Sequence, residues 1–146
     1  MSQGPIPYMT VKGAAEAINF YVAAFGAVEV FRLTDPGDGR IGHAELTLCG
    51  GRFYLCDEYP GFGAISPDTL GGSPVKLQLE VADVDAFVAH ALANGATQLR
   101  AARDEFYGQR TALMGCPFGY GWFVATKVED VTPAEMQARW NRMAAG

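Results

Sequence analysis

His43 and Glu45 stand two residues apart in Ile41 to Leu48, a stretch in which apolar and polar positions alternate. On a strand such a pair shares one face. An imidazole beside a carboxylate can serve as an acid–base couple or a weak metal pair, and equally as a hydrogen-bonded wall of a cleft. Arg110 carries a fork of donors that could clamp a carboxylate or phosphate, or pair with Glu45 and tie two parts of the chain together. Lys76 becomes an amine nucleophile only if desolvated, and a salt-bridged lysine is the commoner outcome. Cys116 needs a nearby cation or helix N-terminus to be a reactive thiolate and otherwise reads as an inert thiol. Tyr54 and Phe123 offer aromatic walls for a planar ligand, with ordinary core packing as the alternative.

The elements that would position these side chains follow from an internal repeat. Ala14, Ala17, Ile18, Tyr21 and Val22 recur at helical spacing, and adding 70 to each number gives Val84, Phe87, Val88, Ala91 and Leu92, all apolar. Gly26 and Gly95 stop the two helices at an offset of 69, so the second helix is one residue shorter. Alternating runs precede each helix, Ile6 to Val11 and Val75 to Val81. Strand-like runs follow, Val28 to Leu33 and Thr97 to Arg100, then Ile41 to Leu48 with Phe53 to Cys56, and Arg110 to Met114 with Trp122 to Ala125. The order is βαβββ twice. Module one spans residues 5–58 and module two 75–127. Between them, residues 59–74 hold four glycines and three prolines, the composition of a linker, either a plain connector or a lid over a cleft. Thr132-Pro133-Ala134-Glu135 is a capping box that opens a last helix over 132–144. The fold class is α+β, with tandem modules whose mixed sheets curl around a cleft.

Period-two alternation assigns the faces. Pro7, Met9 and Val11, like Val75, Leu77, Leu79 and Val81, belong under the helices, and so do Ala44, Leu46, Leu48, Phe53, Leu55, Trp122 and Val124. The second face then collects Ile6, Tyr8, Thr10, Ile41, His43, Glu45, Thr47, Tyr54, Lys76, Gln78, Glu80 and Phe123. Carrying the offset of 69 onward places Arg110, Ala112 and Met114 there as well. That mixture of aromatic and charged groups is nearer to a ligand cleft than to a solvated sheet surface. Tyr8, His43, Glu45, Tyr54, Lys76, Gln78, Arg110 and Phe123 are the candidate cleft residues.

Composition narrows the partners. The 146 residues are 49% hydrophobic and suffice for one core, read as one domain, and the formal charge of −5 supplies no basic stripe for nucleic acid. No apolar run is long enough to span a membrane, and Met-Ser-Gln-Gly-Pro-Ile-Pro lacks the form of an export signal. Cys49, Cys56 and Cys116 form neither a CxxC pair nor an even set, which points to a reducing, cytoplasmic setting.

Several local motifs look familiar together: Ala17-Ile18-Asn19-Phe20-Tyr21 running to Phe25-Gly26-Ala27, His43-Ala44-Glu45-Leu46, Asp57-Glu58, Asp83-Val84-Asp85-Ala86, Tyr107-Gly108-Gln109-Arg110, Pro117-Phe118-Gly119 and the start of the last helix from Glu129 to Met136. In that order they resemble the PhnB-like branch of the vicinal-oxygen-chelate (glyoxalase, bleomycin resistance, dioxygenase) superfamily. The resemblance implies paired βαβββ modules around a cleft, and a homodimer. Metal-dependent members place His, Gln or Glu on the first and last strands of the modules. By the repeat those positions are Ile6, Tyr54, Lys76 and Phe123, and none is a usual divalent-metal ligand, so no metal and no cofactor is expected. Relatives of the branch have been labelled quinone methyltransferases, but no glycine-rich strand-to-helix turn is present to cradle a nucleoside cofactor.

Two functions fit. One is a metal-free binder whose cleft holds an aromatic or anionic small molecule. The other is an enzyme, either a metal-dependent lyase or dioxygenase with displaced ligands or a metal-free isomerase using His43 and Glu45. A purely structural protein would present an apolar second face instead.

Overall fold

The computed structural model describes residues 4–146. Ile6 therefore lies within it, while the first three residues of the N-terminal stretch lie outside the described residues. Two four-stranded mixed sheets run in the orders β1-β4-β3-β2 and β5-β8-β7-β6. Module one consists of β1 (Tyr8–Val11), α1 (Ala14–Phe20), β2 (Val28–Thr34), β3 (Ile41–Leu48) and β4 (Gly51–Asp57). Module two consists of β5 (Lys76–Glu80), α3 (Val84–Ala93), β6 (Thr97–Asp104), β7 (Gln109–Gly115) and β8 (Gly121–Lys127). In each, the first strand runs parallel to the last and the other pairings are antiparallel. The last helix, α4 (Pro133–Ala145), is capped by Thr132 and held by Arg139, which reaches the Phe106 carbonyl and Glu129.

The linker is more structured than its glycine and proline content suggests. It forms a 3-10 turn at Pro60–Phe62 and a one-turn helix α2 (Pro67–Leu70) capped by Ser66. Glu58 fastens it by accepting from Ser66 N at 3.0 Å and Thr69 Oγ1 at 2.7 Å. Both bonds favour the ionised form, led by the Ser66 amide, and hold the Glu58 carboxyl below its usual range. A Cβ on Gly119 would lie 2.6 Å from Pro67 Cβ, so α2 seats against the β7–β8 turn only because that position is glycine.

One hydrophobic core cluster runs through both modules. Tyr21, Phe25, Phe53 and Trp122 meet at its centre, with Trp122 at ring-centroid distances of 5.4, 5.1 and 5.9 Å from Tyr21, Phe25 and Phe53. Phe25 and Phe87 bring the segments after and within the two module helices together at 5.5 Å. The residue by which the first helix exceeds the second is taken up as a π-helical turn, Tyr21–Phe25, which turns Tyr21, Ala24 and Phe25 inward. Met9, Val11, Ala44, Leu46, Leu48, Phe53, Leu55, Leu79, Trp122 and Val124 are buried as the alternation requires, Leu77 and Val81 partly so. Val75 precedes β5 and is exposed.

Three residues assigned to the second face are in the core. Ile41 is buried because β3 carries a bulge: His43 pairs with Leu33 but Ile41 with Thr34, and the extra residue, Gly42, reverses the alternation. Ala112 and Met114 are buried because the repeat slips again between the modules. Ala44 pairs with Leu55 and Ala112 with Val124, so the third strands correspond at an offset of 68 rather than 69. A one-residue slip moves every side chain of a strand to the opposite face.

Asp57 joins three elements. Its Oδ1 accepts from Gly13 N and Ala14 N at 3.1 and 2.8 Å, capping α1, while Oδ2 accepts from Ile41 N at 2.7 Å. Gly13 sits at φ 89, and a Cβ there would collide with Glu16 Oε2. Replacing Asp57 by Ala strands these amides and is expected to cost about 2 kcal/mol, read from urea unfolding, with Asp57→Asn recovering part of the loss. An unchanged midpoint for Asp57→Ala would refute this role.

Candidate functional site

The second face of sheet one brings four of the predicted residues into contact. Tyr8 Oη lies 2.6 Å from His43 Nδ1, and His43 Nε2 lies 2.9 Å from Glu45 Oε2. Tyr54 packs edge-on against both rings, at 5.7 Å from Tyr8 and 5.0 Å from His43, and Phe31 of β2 adds a further wall at 5.8 Å from His43. Strand pairing explains the cluster: Tyr8 is opposite Tyr54, and Tyr54 is opposite Glu45. The His43 and Glu45 side chains are about three-quarters shielded, at 22% and 23% exposure, while Tyr8 is 55% exposed.

A carboxylate can only accept, so in the neutral ring His43 Nε2 carries the proton and Nδ1 is left to accept from the Tyr8 hydroxyl. Burial, then the Cys56 thiol and Glu45, push the Tyr8 phenol above its ordinary value. Cys56 is likewise raised, chiefly by burial.

Tyr8 borders two cavities. The larger, about 740 Å³, lies against the far end of sheet one and is walled by Tyr8, Leu33, Pro36, Tyr59 and Phe62, with Thr10, Asp35 and Cys56 supplying polar atoms. Its outer wall is the linker. Tyr59 bridges Ala64, and the Arg40 guanidinium stacks over the Tyr59 ring at 4.0 Å while donating to the Glu58 carbonyl. The smaller cavity, about 400 Å³, lies where β1 approaches β5 and is lined by Tyr8, Lys76, Gln78 and Tyr120. Lys76 and Gln78 thus meet Tyr8 but not the His43 pair.

Arg110 and Phe123 lie elsewhere. Arg110 donates to both Asp85 carboxylate oxygens at 2.9 and 3.1 Å and to Asp104 at 3.2 Å, all within module two. Those bonds, Asp85 first, raise its pKa further and lower that of Asp85. The Arg110–Glu45 tie weighed from the sequence is not formed, since Glu45 faces His43. Phe123 pairs with Leu113 and Gln78 on sheet two, whose corresponding face carries a network of Arg100, Glu105 and Thr111 that alternation alone did not reveal. Cys116 Sγ lies 3.4 Å from the Tyr21 hydroxyl.

Of the candidate cleft residues only Tyr8 lines the larger cavity; Leu33, Asp35, Pro36, Cys56, Tyr59 and Phe62 are among those missed in the sequence. The one signal for them was two aromatics in a segment otherwise made of turn residues, Tyr59-Pro60-Gly61-Phe62.

The sequence pattern of the Glyoxalase/Bleomycin resistance protein/Dioxygenase superfamily matches residues 7–124. The chain belongs to this superfamily. It is 42% identical over 135 residues to the uncharacterised protein Mb0911c of Mycobacterium bovis, covering 90% of this chain and 88% of that one. It is 33% identical over 125 residues to At5g48480 of Arabidopsis thaliana, covering 80% and 74% of the two chains. The crystal structure of the Arabidopsis protein superposes with a TM-score of 0.68 over 86% of this chain and 99% of that one, at 27% identity. A PhnB protein of Bacillus cereus, described as a putative 3-demethylubiquinone-9 3-methyltransferase, shares the fold with a TM-score of 0.64 at 21% identity, over 85% and 99% of the chains.

The glyoxalase-type metal can be tested against this frame. Pairing sets Tyr8 beside Tyr54 and Gln78 beside Phe123, while Ile6 precedes β1 and Lys76 pairs with Gly121. Neither register offers an imidazole or carboxylate, and no group of three or more His, Cys, Asp and Glu that could hold a metal occurs among the described residues. The donor set does not fit a divalent cation.

In long-range ¹H–¹⁵N spectra the neutral His43 ring is expected to carry its proton on Nε2. A proton on Nδ1 would contradict the Tyr8–His43–Glu45 arrangement.

Proposed function

We propose that this chain is a small-molecule-binding protein whose ligand occupies the 740 Å³ cavity between sheet one and the linker, without help from a divalent metal. The observation that carries this reading is the lining: an aromatic and aliphatic wall with a few convergent polar atoms, the usual make-up of an organic ligand site. Asp35 in the wall and the chain's net charge of −5 favour a neutral ligand over the anionic one considered from sequence. The donor set at the strand positions weighs against the metal-dependent lyase or dioxygenase alternative.

The same reading includes a homodimer and a cytoplasmic setting. Edge strand β2 exposes Val28 and Val30, an apolar pair that a second copy would cover. Free Cys49, Cys56 and Cys116 suit a reducing compartment. Among the described residues no helix is long and apolar enough to cross a membrane.

β-Naphthol serves as a neutral, flat probe. At about a hundred times its Kd it should stabilise the protein by roughly 2.7 kcal/mol, a rise in Tm of roughly 5–10 °C. The rise should persist in EDTA and shrink in Phe62→Ala. No shift would overturn the reading, and a shift abolished by EDTA and restored by a divalent metal would favour the metal-dependent alternative. In sedimentation, the wild-type chain should run as a dimer and Val30→Glu as a monomer; a monomeric wild type would refute the assembly.

A further inference from the structure

Tyr8 borders both the cavity of about 740 Å³ beneath the linker and the cavity of about 400 Å³ where β1 approaches β5. The wall between the two spaces has two parts. In one, Thr10 lines the larger cavity and Tyr120 the smaller, and the Tyr120 hydroxyl donates to the Thr10 carbonyl at 2.9 Å. Tyr120 also packs against the core, so this part is fixed. The other part is Tyr8 itself, which is 55% exposed and lies outside the core cluster.

Hydrogen bonding rather than burial holds Tyr8 in place. Its hydroxyl lies 2.6 Å from His43 Nδ1, and His43 Nε2 lies 2.9 Å from Glu45 Oε2. Tyr54 and Phe31 flank the His43 ring at 5.0 and 5.8 Å and keep the acceptor from following if Tyr8 turns away. Neither His43 nor Glu45 lines either cavity, so both bear on the site only through Tyr8. The sheet does not need this chain. At the corresponding places in module two, fixed by strand pairing, stand Gln78 for Tyr8, Thr111 for His43 and Leu113 for Glu45, and the same strands pair around them.

The two spaces differ in chemistry. The larger is walled mainly by hydrocarbon and aromatic rings and suits a flat apolar body. The smaller carries the Lys76 ammonium and the Gln78 amide, both hydrogen-bond donors.

We propose that Tyr8, latched by His43 and Glu45, is the residue that selects ligands by shape. Latched, it confines a ligand to the larger cavity. Turned to another rotamer, it joins the two cavities and admits an elongated neutral molecule whose hydrogen-bond-accepting arm reaches Lys76 and Gln78. This rests on the small-molecule reading of the larger cavity. A compact bicyclic ligand leaves the latch closed. An elongated one must first break the Tyr8–His43 hydrogen bond, and its apparent affinity falls by the fraction of molecules in which that bond is open. His43 and Glu45 are positioning residues that act through Tyr8.

The test titrates the full chain with two fluorescent probes, compact β-naphthol and elongated 4-(2-naphthyloxy)butanamide, and reads the ratio of their affinities. Wild-type protein should favour β-naphthol. Tyr8→Ala should shift the ratio towards the butanamide at least about tenfold. His43→Ala keeps the Tyr8 ring but removes its latch, and should shift the ratio about fivefold, the worth of one hydrogen bond. Added to Tyr8→Ala, it should shift the ratio no further, an outcome that a general structural role of His43 would not give. Gln78→Ala or Lys76→Ala, added to Tyr8→Ala, should remove at least about threefold of the gain. A ratio unchanged by Tyr8→Ala, with β-naphthol still binding the wild type, would overturn the selection and leave the binding reading standing. An undiminished effect of His43→Ala in the Tyr8→Ala background would overturn the latch. A gain that survives both Gln78→Ala and Lys76→Ala would overturn the second compartment. Binding of neither probe would remove the cavity reading and the selection together.

Discussion

Two sheets share one core, and each can therefore bury only one face. Tyr21, Phe25, Phe53 and Trp122 interlock at the centre of that core and draw residues from both modules into a single cluster. Large aromatic side chains supply much of the buried area of such a cluster, and their edge-on contacts add about 0.5–1.5 kcal/mol per pair. Everything on the opposite faces follows from this. Tyr8, His43, Glu45 and Tyr54 are free to organise a site because the core claims their neighbours in sequence, Met9, Ala44, Leu46, Phe53 and Leu55.

The cavity arises where regular alternation breaks. The bulge at Gly42 turns Ile41 into the core, and Asp57 pins that turned backbone to the start of α1. On the other side Gly42 lines the cavity beneath the linker. Arg40, stacked on Tyr59 and bonded to the Glu58 carbonyl, fixes the segment that borders the space. The space is thus set by backbone devices, and its chemistry by the few side chains that border it.

The two modules reached different ends on one plan. Module one carries on its second face a hydrogen-bonded chain of Tyr8, His43 and Glu45, with Tyr8 bordering a cavity. Module two used its equivalents for packing and for ion pairs, with Arg110 clamped between Asp85 and Asp104 and Arg100 bonded to Thr111. Superfamily membership supplies the frame, but the residues at the strand positions decide the chemistry, and here they are two phenols, one amide and a hydrocarbon ring, with no imidazole or carboxylate among them.

The sequence by itself determined the doubled βαβββ order, the helix stops at Gly26 and Gly95, the cap of the last helix and most of the buried faces. Each depends on local spacing, which the sequence carries directly. It also put Tyr8, His43, Glu45 and Tyr54 on one face, because strand alternation is local too. Only the tertiary structure decided the rest. Ile41, Ala112 and Met114 changed face because a bulge and a one-residue slip are properties of strand pairing, and a single chain read alone does not reveal its partner's register. Arg110 found Asp85 and Asp104 instead of Glu45 because ion pairs form between whichever charges the fold makes neighbours. The linker became a cavity wall through contacts of Glu58, Tyr59 and Gly119 with residues distant in sequence, a placement that no composition of glycine and proline encodes.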